Sequence, residues 1–454
     1  MKNIIKGMFQ NFGIKSQRTK KIVNHVGLSV LYKGGSIIAT FLLVPLTINY
    51  LTIEDYGIWL TLSSFIAWFS FFDIGLGNGL RNKFAEAKAN ENFILAQCYV
   101  SSAYYTIAIV SLVLIFAFLV VNMFIDWTIV FNADDSLKPS LYILMPIVFS
   151  FFCLQLVLKL ITTIYTADQK PSVQGKIGFL TQIGSLFLIW ILTKISQGSL
   201  VTFGVVFSGL PVFILLLFNI FAFSKTYHVY KPKFSLWKLE YLKEIFGLGI
   251  KFFIAQIAAL VLFSTDNFII SKLFSPAEVV PYNIAFKYFS IITMLYTILV
   301  TPFWSSFTEA YVKKEYSWIK NSVNNILKIW LLVPVALMIM VLLAKPFYNF
   351  WVGDEVVISV GLNLSMALFV LLVTFNMVFV QFINGVGKIK LQLITSLISM
   401  TINIPLSIYF AKNLDLGISG VIIATCFSLG YSVILRPLQY YKIINNTAKG
   451  IWNK

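Results

Sequence analysis

Charge is what this chain is short of. Only 12% of its 454 residues are Asp, Glu, Lys or Arg, against roughly 25% in a soluble domain. So little charge cannot cover a globule in water, so lipid is the solvent for most of the surface. Cysteine is nearly absent. Cys98, Cys153 and Cys426 all fall in apolar segments, which excludes a disulfide framework and a metal cluster. Catalytic signatures are missing too: there is no Asp-x-Asp, His-Glu-x-x-His or Gly-x-Ser-x-Gly. Gly385-Val-Gly-Lys388 lacks the spacing and hydroxyl of a P-loop. An enzyme is not expected, nor ATP hydrolysis.

What is present is apolar length. At about 20 apolar residues per crossing, the chain divides into about twelve spans. These lie near 27–48, 56–79, 99–123, 140–164, 177–194, 200–222, 247–270, 279–301, 326–344, 356–382, 390–411 and 416–438. The charged, helix-prone stretch 84–98 is expected to extend the third span. The basic start, Met1 to Lys21, has no small-residue cleavage site and is read as retained.

The net charge of +17 is a matter of topology, and no nucleic-acid partner is expected. With the N-terminus inside, inner segments hold about 25 Lys and Arg, and the opposite loops hold Lys138, Lys194, Lys272, Lys345 and Lys412. Acidic residues collect on the opposite side, so both termini are expected in the cytoplasm. The basic–aromatic segment 224–246 separates two lobes of six spans, 1–223 and 247–454. It suits either a helix lying in the headgroup layer or a solvated linker, with His228 exposed. A weak repeat relates Glu54-Asp-Tyr-Gly-Ile-Trp59 to Ala277-Glu-Val-Val-Pro-Tyr282, acidic turns that open the second and eighth spans.

One span ends unusually. An uncharged run from Tyr56 is followed by Asp73, by Gly75, Gly77 and Gly79, and by Asn78, Arg81 and Lys83. Glycines permit close backbone approach, and an intramembrane carboxylate faces protein or water. Further charges inside spans are Lys33, Lys159, Lys251, Asp266, Lys287 and Lys328. Lys159 and Lys328 lie near enough to an inner end to snorkel. Lys33 and Lys287 lie deeper, and polar residues concentrate in spans one, two, seven and eight.

The segments Glu54-Asp-Tyr-Gly-Ile-Trp59 and Phe72-Asp-Ile-Gly-Leu-Gly-Asn-Gly-Leu-Arg-Asn-Lys-Phe-Ala-Glu-Ala87 resemble the signature of bacterial polysaccharide-unit flippases. These are the Wzx-type O-antigen translocases of the multidrug/oligosaccharidyl-lipid/polysaccharide exporter superfamily. Ser29-Val-Leu-Tyr-Lys-Gly34 and Leu43–Leu51 are similar to that family's first helix. The resemblance implies an all-α membrane protein with two six-helix lobes in a MATE-like V around a central cavity. It implies ion-coupled export, across the bacterial inner membrane, of a polyprenyl-diphosphate-linked saccharide. Lys33, Lys287 and Lys251 are the candidates for the anionic head. Asp73, Asn78, Arg81 and Asp266 are the motif and coupling candidates. H⁺ or Na⁺ is the expected coupling ion, with no metal site or other cofactor. Membrane lipids and a polysaccharide polymerase or chain-length machinery are the expected partners. A cation/drug antiporter of the same fold is the alternative, and a membrane-embedded polysaccharide enzyme a distant third.

Overall fold

The computed structural model describes residues 17–69, 76–168, 170, 172–245, 265–301 and 303–453. In chain order the first helices are α1 (Gln17–Tyr50), α2 (Ile53–Ala67), α3 (Leu76–Ala89), α4 (Phe93–Asn122) and the short α5 (Trp127–Phe131). Next come α6 (Lys138–Leu158), α7 (Leu160–Ala167), α8 (Ser172–Ile195) and α9 (Leu200–Phe221). The later part holds α10 (Asp266–Leu273), α11 (Pro276–Val300), α12 (Phe303–Val312), α13 (Tyr316–Trp330) and α14 (Leu332–Val352). It closes with α15 (Val360–Val386), α16 (Lys390–Ile408), α17 (Gly417–Gly430) and α18 (Ser432–Ile444).

Among the described residues, ten helical stretches are long and apolar enough to cross a membrane. They coincide with ten of the expected spans. The other two, 56–79 and 247–270, run into residues outside the described set. One expectation is corrected. Of the stretch 84–98, only the second part, 93–98, extends the third span, because α4 begins at Phe93, while 84–89 belongs to α3, which ends at Ala89. Glu91 turns the backbone at φ 56°, and the Asn92 side chain accepts from the Leu95 amide to start α4. An Asn cap satisfies a donor that a continuous helix would have paired internally, so it fixes a break.

The chain divides into two compact units: Met1–Thr52 with Phe69–Phe253, and Ile53–Trp68 with Ile254–Lys454. The helix α2 thus groups with the later helices, whereas the sequence places it with 1–223.

In the first unit, Leu76, Leu80, Phe84 and Ala87 form the buried stripe of α3. It packs with Val100, Ala103 and Ile107 of α4 and with Ile161 and Ile164 of α7. Gly79 is required here: a Cβ would sit 2.2 Å from the Ile245 carbonyl oxygen. Helices in lipid gain nothing from hiding apolar surface from water, so close packing and hydrogen bonds hold them. Phe118 stacks on Phe149 at 4.0 Å between centroids, and the Ser111 hydroxyl donates to the Cys153 carbonyl. The opposite faces keep Phe116 and Ile109 exposed, as lipid-facing surface does.

The basic segment after α9 is neither a single interfacial helix nor a free linker. It is a series of short turns, His228–Tyr230 and Phe234–Leu236 among them, pinned along α4. The Lys233 amide donates to Ser101 Oγ, the Lys238 amide to Ser102 Oγ, and Gln97 Nε2 to the Lys231 carbonyl. Trp237 Nε1 donates to Thr106 Oγ1. Without a helix, these backbone groups need outside partners, and the hydroxyls of α4 supply them. His228 is exposed, as expected.

In the second unit α15 is central, burying Leu362, Met366, Phe369, Phe379 and Phe382. Polar pairs tie helices to it or to each other: Tyr348 OH to Asn363 Oδ1, Trp330 Nε1 to Thr374 Oγ1, and Asn403 Nδ2 to Thr425 Oγ1.

Candidate functional site

The second unit carries a column of polar side chains along α2, α10 and α11. Its first requirement is close approach. A Cβ on Gly57 would lie 1.7 Å from the Pro276 carbonyl oxygen, so only glycine lets the start of α2 meet the start of α11. The two acidic turns related by the weak repeat are therefore packed against one another. Ser275 caps α11 by accepting from the Glu278 amide, with Pro276 in the first turn, the arrangement that best starts a helix.

Three polar groups descend from that contact. Asp266, 5% exposed, accepts a hydrogen bond from Tyr282 OH on Oδ2. Its Oδ1 is buried and has no hydrogen-bond partner among the described residues. Beside it, Asn283 Nδ2 donates to Asn267 Oδ1 at 2.8 Å, and Asn267 Nδ2 donates to Ser64 Oγ at 2.8 Å. One turn further along α11, Lys287 Nζ donates to Tyr56 OH at 3.0 Å and lies 5.7 Å from that ring's centroid. Lys287 sits about 16 Å from the start of α11, at 1.5 Å per residue. Among the described residues its hydrogen-bond partner is a phenol rather than a carboxylate, and the ammonium makes no ion pair. Chemically, the column offers a carboxylate with a spare lone-pair oxygen and, little more than one turn along α11 from Tyr282, a cation in no ion pair among the described residues.

The first unit has a different cluster. Asp168, after α7, accepts from Lys88 Nζ, from Lys170 Nζ at 2.7 Å and from Tyr227 OH at 2.9 Å. Burial pushes the Asp168 carboxyl upward, but the hydrogen bonds from Lys170, Lys88 and Tyr227 outweigh it and hold the group below its ordinary value. A cavity of about 310 Å³ opens beside it, between Lys88, Phe93, Lys170 and Tyr230. The carboxylate ties the loop after α7 to the last turn of α3 and to the segment after α9.

The residues singled out in the sequence are placed as follows. Asp73 and Lys251 lie outside the described residues, and so does the side chain of Asn78. Lys33 on α1 and Arg81 on α3 are exposed. Asp266 and Lys287 belong to one polar column. Lys159 and Lys328 are exposed, as side chains reaching for headgroups must be. Sequence reading missed the Tyr56–Lys287 pair, which no local pattern signals. It also missed Arg436, although that residue stands inside the expected span 416–438. Its Nε is buried with no hydrogen-bond partner among the described residues.

The described residues make a helical, multi-pass membrane protein with buried polar groups in its spans. Solved structures agree on the fold. A multidrug-resistance MATE family transporter of the MOP superfamily, in its inward-facing conformation, aligns over 92% of this chain and 95% of its own, with TM-score 0.71 and 14% identity. A MOP superfamily transporter from Pyrococcus furiosus, described as having a binding pocket of reversed polarity, aligns over 95% and 97% with TM-score 0.64 and 14% identity. Residues 22–307 match the polysaccharide biosynthesis protein family, and residues 252–409 match MatE. The chain belongs to the polysaccharide biosynthesis protein family. A Yersinia pseudotuberculosis protein named as a candidate O-antigen export protein is 24% identical over 78% of this chain and 81% of its own. A candidate O-antigen transporter of Salmonella typhi is 24% identical over 58% and 59%.

Proposed function

We propose that the protein is a flippase for polyprenyl-diphosphate-linked saccharide units, carrying them across the bacterial cytoplasmic membrane by ion-coupled alternating access. The observation that carries the reading is Lys287: a cation deep in a spanning helix, paired with the neutral Tyr56, in a chain of the polysaccharide biosynthesis family. An ammonium held this way binds an anionic head without the full cost of a permanently buried ion pair. Lys33 and Lys251 are the further cationic candidates. Asp266, with one carboxylate oxygen unpartnered, is the place for an exchangeable H⁺ or a Na⁺, and Asp73 is the second candidate. Both termini are cytoplasmic in this reading, and a polymerase or chain-length protein receives the product.

A second reading, a cation/drug antiporter, is favoured by the MatE match over 252–409 and by the buried Asp266 carboxylate. One experiment separates the two. In a strain deleted for its own flippase, the flippase reading expects this chain to restore surface polysaccharide, and Lys287→Ala to abolish it with the protein still inserted. No restoration by the wild type, together with new resistance to cationic dyes, would overturn the flippase reading and leave the antiporter.

A further inference from the structure

Arg436 stands within α18, eight residues before the helix end at Ile444, about 12 Å along the axis. Its neighbours in the helical repeat decide where it faces. Ser432, Gln439 and Ile443 lie at i−4, i+3 and i+7 from it, and they are 2%, 1% and 2% exposed. That stripe is the face α18 packs into its own unit. Gln439 Nε2 donates to the Lys388 carbonyl, and the neighbouring Tyr440 ring meets Phe379 and Phe382 of α15. Arg436 is thus one turn deeper, on the inward side of the helix.

An arginine in lipid normally threads its head out to the phosphates. Here Nε is enclosed on the packed face, so the stem runs into protein. The side chain as a whole is only half-buried, so part of it meets open space. Among the described residues it makes no ion pair, and Nε has no hydrogen bond. A guanidinium whose inner nitrogen is enclosed without a partner while the rest of the group is half-open keeps its donors for an oxyanion that arrives from outside.

We infer that Arg436 binds a phosphate oxyanion, the guanidinium offering parallel N–H donors to two of its oxygens. The flippase reading makes the diphosphate of the lipid-linked substrate the source, and to that extent the inference rests on it. Free phosphate has the same chemistry, and the test separates the two sources.

The test uses the purified full-length protein in detergent, as wild type, Arg436→Lys and Arg436→Gln. The probes are inorganic pyrophosphate and farnesyl diphosphate, read by binding titration and by thermal melting. Loss of one charge-assisted contact makes farnesyl diphosphate bind about ten- to a hundred-fold more weakly to Arg436→Gln, with Arg436→Lys between. Without ligand, Arg436→Gln melts no lower than the wild type, because a structural arginine would cost stability and an unpartnered one does not. Equal affinity in wild type and Arg436→Gln overturns the inference. So does failure of Arg436→Gln to fold, or a lower melting point without ligand. Arginine-dependent binding of pyrophosphate with no binding of farnesyl diphosphate upholds the anion site and counts against the flippase reading. Binding of neither probe to the wild type overturns the inference, while restoration of surface polysaccharide still decides the flippase reading separately.

Discussion

Gly57→Ala puts the α2–α11 contact under the most direct strain the structure allows. The new methyl carbon would sit 1.7 Å from the Pro276 carbonyl oxygen and 2.4 Å from its carbon, where real contacts stay beyond 3.0 Å. Both obstacles are backbone, so the helices must part. Overpacking of this kind costs about 1–3 kcal/mol. The bond from Lys287 to Tyr56 spans the same joint and the bond from Asn267 on α10 to Ser64 on α2 lies beside it; both stretch when α2 moves away, at about 1 kcal/mol each. Alanine returns about 0.5–1 kcal/mol of helix propensity, leaving a net loss of about 2–4 kcal/mol. At about 2–4 °C per kcal/mol, the melting midpoint of the purified protein falls by about 5–15 °C. Gly34→Ala is the matched control, since nothing lies within 4 Å of its Cβ, and it melts at or slightly above the wild type. Equal melting points for the two variants would refute the reasoning, because the close approach would then not be what holds α2 against α11.

Asp168→Asn removes the charge that Lys88, Lys170 and Tyr227 share, and costs about 1–3 kcal/mol at neutral pH. Because the folded-state value of this carboxyl lies below its unfolded one, that contribution is complete above about pH 4 and disappears as pH falls through the folded value. Melting curves of variant and wild type therefore converge in acid; a gap independent of pH would contradict the ion-pair account. Asp73→Asn and Asp266→Asn are expected to lower surface polysaccharide more than they lower membrane abundance, and native output from both across pH would leave the carboxylates merely structural. Single cysteines placed in 124–139 should label from outside intact cells and those in 225–245 should not; the reverse pattern overturns the orientation.

Where the sequence was legible, hydropathy made it so. Runs of apolar residues located ten spans to within several residues at most ends, because lipid allows few structures other than a satisfied helix. The break at Asn90–Asn92 was harder to see: helix-prone residues on both sides conceal a cap that depends on one side-chain carbonyl. The grouping of α2 with the later helices turns on Gly57 and a carbonyl more than two hundred residues away, and no local pattern carries that. Lys287 and Asp266 were legible as misplaced charges, whereas their partners Tyr56 and Tyr282 looked like ordinary aromatics. Arg436 went unread because an arginine two residues inside the end of an expected span is ordinarily one that snorkels, and only the enclosure of its Nε argues otherwise.

The segment after α9 holds Lys225, Lys231, Lys233, Lys238 and Lys243, a dense run of sites for a trypsin-like protease. Yet such a protease must draw its substrate out as an extended strand, and here Ser101, Ser102 and Gln97 grip the main chain at Lys231, Lys233 and Lys238. A stretch that reads as a disposable tether is thereby fastened to a single spanning helix, and an epitope inserted into it would loosen that helix rather than hang harmlessly from the surface.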